Sequence, residues 1–90
     1  MPRFPFSRFI VKDRSMEPFL CHGDHVLMFN WTNIKVGDVV VFKLFNQYFV
    51  KRIKKISGKN IFVEGDNRNM SLKIGPIKVE QVVGKVVLRY

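Results

Sequence analysis

Cysteine is almost missing from this chain: Cys21 stands alone, so no disulfide closes within it, and no spaced partner suggests a structural zinc site. Long apolar runs are missing too, and nothing approaches the roughly 20 residues that a membrane-spanning helix needs. The opening MPRFPFSRFIVKD is broken by Pro5, Ser7 and Arg8 and has no continuous apolar region of the secretory kind. A soluble, cytoplasmic chain without signal peptide or transmembrane segment is therefore expected. Acid is scarce: seven Asp and Glu stand against 16 Lys and Arg, a net charge of +9. So basic a small domain can meet nucleic acid, anionic lipid or an acidic protein, and charge alone does not choose among them. Helical periodicity is nearly absent; at most SMEPFL and KVEQV form single turns.

What is present is strand. RFIVK (8–12), HVLMFN (25–30), DVVVFKLF (38–45), QYFVKRIKKI (47–56), NIFVEG (60–65) and VVGKVVLRY (82–90) are rich in Val, Ile and Phe. Between them lie the turn signals CHGD, KVGD, FNQ, SGKN, GDNRN and KIGP. Hydrophobic content of 47% with 26% charged residues is globular, and 90 residues hold one core. A single mainly β domain over 1–90, with compact coiled antiparallel sheets and little or no helix, is expected.

Side chains alternate faces along a strand, so in YFVKRIKKI Phe49, Lys51 and Ile53 share one face and Val50, Arg52 and Lys54 the other. Lys51 between two apolar neighbours can be desolvated, which lowers a lysine pKa. The strand alone equally allows an exposed edge on which the stem of Lys51 lies over Phe49. In RSMEPFLCHGDHV, Ser15 fits either a nucleophile or an ordinary turn serine. His22 and His25 flank a Gly-Asp turn and have no third metal ligand at a sensible spacing. The cluster KRIKK near Phe45, Tyr48 and Phe49 resembles a single-strand-binding surface, but no RNA- or DNA-binding signature accompanies it.

The order of the blocks is more specific than any one of them. Ser-Met-Glu-Pro (15–18) is followed by Gly-Asp (23–24) and Gly-Asp-Val-Val-Val-Phe (37–42). Then come Val-Lys-Arg (50–52), Gly-Asp-Asn (65–67), Ser71 and Val-Gly-Lys-Val (83–86). Over residues 9 to 90 this series closely resembles the catalytic domain of the signal peptidase I family of Ser/Lys endopeptidases. Within that family the short form looks most like the nickel-type superoxide dismutase maturation proteases.

The resemblance implies Ser15 as nucleophile, with its backbone N–H stabilising the oxyanion, and Lys51 as general base. Free lysine titrates near ~10.4 and a base useful at neutrality near ~7–8, a difference of about 4 kcal/mol, so apolar neighbours have to surround the amine. The resemblance also implies that Ser71 orients the lysine and that Arg52 and Asp66 pair, tying the base strand to the turn containing Asn67. Phe9, Val11, Met16, Phe49 and Val50 would wall a cleft for a substrate bound as an extended strand. No metal or cofactor is implied.

The chain departs from the family at two places. Ser71-Leu72-Lys73-Ile74-Gly75 lacks the family's Asp and Arg, and Asp13 stands where many signal peptidases carry a small hydroxyl residue. The implied function is a soluble endopeptidase removing a short N-terminal leader from a precursor, with nickel superoxide dismutase the leading substrate. The alternatives are processing at a membrane with a separate anchor, through peripheral contact, or a non-catalytic basic β domain binding nucleic acid or protein.

Overall fold

The computed structural model of the chain describes residues 5–30, 33–67, 69 and 73–90. Seven strands form one antiparallel sheet: β1 (Phe6–Ile10), β2 (His25–Phe29), β3 (Val39–Leu44), β4 (Gln47–Ser57), β5 (Asn60–Glu64), β6 (Ile77–Lys78) and β7 (Val82–Arg89). Their spatial order is β1-β2-β7-β3-β4-β5-β6, so β7, last in sequence, inserts between β2 and β3. A 3₁₀ turn, Val79–Gln81, lies where KVEQV suggested one, and the segment SMEPFL forms turns. Among the described residues no helix is long and apolar enough to cross a membrane.

The mainly β expectation holds, as one sheet rather than several, with two local differences. The first strand begins and ends two residues earlier than RFIVK, because its ladder with β2 runs from Phe6 opposite Phe29 to Ile10 opposite His25. Strand β6 was not foreseen; its two residues pair with Asn60 and Ile61 and are too few to show a period.

The run Val39-Val40-Val41-Phe42 on β3 is buried at every position, which requires apolar cover on both sheet faces. Val39 and Val41 join Val11, Met16, Leu20, Val26, Met28 and Val50 in one cluster. Val40 and Phe42 join Ile53, Ile61 and Ile77 in the other, with Phe49 packed against them and stacked on Phe42 at 5.7 Å. The loop after β1 covers the one face, and segments around Ile34, Ile74 and Val82 cover the other. Gly84 lets β7 lie close on β2: a Cβ there would meet Met28 Cβ and Asn30 Oδ1 at 3.0 Å and the Phe29 carbonyl oxygen at 3.2 Å. The sheet coils far enough that Phe9 of β1 meets Tyr48 of β4 edge-on at 6.4 Å, although three strands separate them in the ladder.

Candidate active site

Ser15 and Lys51 are 1% and 2% exposed, the two polar or charged side chains buried in the core among the described residues. Burial of a hydroxyl and an amine is costly without partners, and it marks them as the place to look for chemistry.

Ser15 is placed by the loop of residues 11–24. Val11, Met16 and Leu20 sink into the first cluster, at 0%, 0% and 1% exposure, and fix the loop's depth. Backbone bonds close it: Leu20 N donates to Met16 O at 2.9 Å and Gly23 N to Val11 O at 2.7 Å. Gly23 has φ +92°, a conformation that L side chains rarely adopt, which accounts for glycine in HGDH. The Asp24 carboxylate accepts from Cys21 N at 2.8 Å and lies 3.7 Å from Arg89 at the end of β7. His22 is exposed, its Nδ1 at 2.7 Å from the Lys12 carbonyl, and His25 is exposed with its ring against Tyr90. These contacts are those of a turn and a strand end.

Lys51 is placed by β4, bonded to β3 on one side and β5 on the other. It stands on the face of Phe49 and Ile53, opposite Val40. Burial pushes its pKa below the ordinary lysine range, while the Asp13 carboxylate pulls it back up. Asp13 in turn touches the serine directly: its Oδ1 accepts from Ser15 Oγ at 2.9 Å and from Ser15 N at 3.1 Å. Asp13 thus stands in electrostatic contact with both buried groups.

A third element joins loop to strand. Arg52 donates from Nε and Nη2 to the two oxygens of Asp66 at 2.9 and 2.8 Å, a bidentate pair, and from Nη1 to the Gly37 carbonyl at 2.9 Å. The Arg52 hydrogen bond holds the Asp66 carboxyl below the usual carboxylate range and raises Arg52 in turn. From the same turn Asn67 N donates to Ser15 O at 2.7 Å, and Asp66 N reaches Met16 Sδ at 3.4 Å. The Arg52 guanidinium also lies 4.9 Å from the ring of Phe19, on the loop that carries Ser15. Ser71 lies outside the described residues.

A groove of about 740 Å³ runs between β1 and β4, lined by Arg8, Phe9, Lys12, His25, Gln47 and Tyr48. Of the five residues implied as cleft walls, Phe9 lines it. Val11, Met16 and Val50 lie instead in the core, because each packs inward against Val39 and Val41, and Phe49 is half-buried in the second cluster. Arg8, Lys12, Gln47 and Tyr48 also line this groove and were not singled out as wall residues in the sequence. Arg8 lies on β1, Lys12 just beyond it, and Gln47 and Tyr48 on β4; β1 and β4 are not neighbours in the sheet, and only its coiling brings them together.

Residues 8–87 match the sequence model of the Peptidase S24-like family. An uncharacterized protein of Methanocaldococcus jannaschii is 32% identical over 94 aligned residues, which cover 87% of this chain and 46% of that protein. The chain thus spans about half the length of the curated relative it matches.

Proposed function

Because the chain belongs to the Peptidase S24-like family, we propose that it is a serine endopeptidase with Ser15 as nucleophile and Lys51 as general base. One observation carries this reading. A serine and a lysine are each buried in an otherwise apolar interior, the lysine with a lowered pKa, and the Asp13 carboxylate acts on both: it hydrogen-bonds Ser15 and bears electrostatically on Lys51. No packing argument calls for either residue there, since apolar side chains would fill the space at less cost.

In the proposed reaction, neutral Lys51 Nζ takes the Ser15 Oγ proton as Oγ bonds to the scissile carbonyl carbon. The negative charge that forms on the carbonyl oxygen meets the Ser15 N–H. The intermediate collapses by breaking the C–N bond, and the Lys51 ammonium gives its proton to the departing amine. Water then attacks the acyl ester, passing a proton to Lys51. The ester C–O bond breaks and the proton returns to Oγ, so the enzyme is regenerated. The substrate lies as an extended strand along β1 in the groove, where Arg8 and Lys12 favour an acidic segment. Arg52, Asp66 and Asn67 hold the Ser15 loop to β4.

The finer assignment is removal of a short leader from a nickel superoxide dismutase precursor; the sequence resemblance supports it. The test is incubation with such a precursor, with the new N-terminus read by mass spectrometry. Cleavage is expected, and Ser15→Ala and Lys51→Met each reduce it by about 10³-fold or more. Wild-type processing by either variant sinks the dyad. Cleavage of other peptides but not of this precursor sinks the substrate assignment alone.

A further inference from the structure

Ser15 carries two donors, and acyl transfer at Ser15 uses both. The backbone N–H has to meet the carbonyl oxygen of the substrate, and the Oγ proton has to pass to Lys51. Both now converge on a single acceptor, Asp13 Oδ1, at 3.1 and 2.9 Å. Resting on the Ser15–Lys51 reading above, we propose that Asp13 is a latch on the nucleophile, which occupies the oxyanion donor in the resting protein and which the arriving substrate displaces.

The chemistry follows from what a carboxylate can do. Ionised, it only accepts hydrogen bonds, so it competes with the scissile carbonyl for the Ser15 N–H. While it stays there, its charge opposes the negative charge that grows on the carbonyl oxygen. It also holds the Oγ proton away from the base. At the base itself the same charge favours the ammonium over the free amine, against the burial that favours the amine. Each of these contacts restrains the reaction, and one side chain makes them all.

The position suits a part that moves. Asp13 is exposed, whereas Ser15 is buried, so the carboxylate can turn into solvent about its own side-chain torsions without shifting the anchored loop. A strand laid along β1 passes Lys12, a groove residue, and reaches Asp13 next. Arg52, the neighbour of Lys51 on β4, points to the other face and is engaged by Asp66, and Lys12 and Arg14 beside Asp13 are exposed.

The experiment compares wild type with Asp13→Asn, which keeps the shape and removes the charge, and with Asp13→Gly, which removes the side chain. Lys51 is titrated through its ε-methylene carbon by NMR, a readout that needs no cleavage, and peptide turnover is followed against pH. Both variants are expected to lower the Lys51 midpoint and to move the rising limb of the pH profile down with it. Both are expected to raise turnover by about tenfold or more, a share of the roughly 10²–10³ that one oxyanion donor is worth. A Lys51 midpoint unmoved in both variants overturns the latch, whether or not cleavage is seen. So does turnover that falls in both, since Asp13 would then assist the reaction. Failure of the dyad looks different: Ser15→Ala or Lys51→Met would still cleave, while the Lys51 midpoint would still follow Asp13.

Discussion

Ser15, the proposed nucleophile, and Lys51, the proposed base, are held by different means. Lys51 lies in a strand bonded on both edges, and its depth is set by alternation: the residue between Phe49 and Ile53 goes where they go. Ser15 lies in a loop without a ladder, and its depth is set by three anchoring side chains and a few backbone bonds. The strand can desolvate an amine because the sheet is there regardless of the lysine. The loop can present a hydroxyl beside an exposed carboxylate because Asp13 lies outside any ladder. One half supplies burial and the other supplies adjustment, and each can be attacked separately.

The largest effect is expected on the strand side. Lys51→Met should cost about 10³-fold or more in turnover while the fold survives, because methionine fills similar space without a buried charge. The pH dependence of stability tests the burial itself. The folded-state pKa of Lys51 lies below its unfolded value, so between the two the unfolded chain binds more protons. Wild-type stability should therefore rise with pH from the folded value towards the unfolded one near ~10.4, and below the folded value the cost of burying the charge is paid in full. Lys51→Met should flatten that rise in denaturant midpoints. Equal slopes in the two proteins would break the claim that the strand buries a base.

On the loop side the anchors matter more than the ladder. Leu20→Ala removes a side chain that is 1% exposed and should destabilise by about 2–5 kcal/mol in urea titration. Turnover per folded molecule should fall as well, since Ser15 has lost one of the groups that set its depth. Unchanged turnover at full folding would show that the backbone bonds alone position the serine, and the contrast between the two halves would weaken.

The same difference explains what could be read from the sequence. Alternation placed Phe49, Lys51 and Ile53 on one face without any structure, because a strand imposes a period of two wherever it lies. It could not decide between a buried face and an exposed edge; that depends on β5 and the second cluster, which are long-range partners. For Ser15 there was no period to read, only the ordered motif blocks. The resemblance put Val11 and Met16 among the cleft walls, yet a position in a loop near Ser15 does not say which way a side chain turns. The groove was illegible for a third reason, since Phe9 and Tyr48 meet only after the sheet has coiled.

Where loop and strand are joined, the expected effect is smaller. Asp66→Asn removes the charge from the bidentate pair with Arg52 and should cost about 1–3 kcal/mol. The folded pKa of Asp66 lies below the unfolded one, so its contribution is complete above the unfolded value of about 3.9 and fades as pH falls through the folded value. Acid unfolding curves of wild type and Asp66→Asn should therefore converge at low pH and separate towards neutrality. A constant gap across the acid range would mean that the Asp66 charge is not what ties the turn to β4.

The smallest effect has the opposite sign and falls at the far end of β4. Phe45 and Asn46 form the two-residue turn between Leu44 and Gln47, with φ of 53° and 60°. Two positive φ values are what a tight hairpin of this length requires, and Asn meets that need while an aromatic residue does so at a cost. The Phe45 ring is 86% exposed, so packing returns little in exchange. Phe45→Asn should stabilise by about 0.5–1 kcal/mol, seen as a higher urea midpoint with an unchanged slope. A loss of stability would mean that the ring packs against neighbours after all. KM then asks whether the strain has a use, because the turn adjoins Tyr48 on the groove wall. With Phe45 idle, KM for the peptide stays at its wild-type value. A higher KM in a more stable protein would make the hairpin tip a substrate contact, and the strand half would then supply adjustment as well as burial.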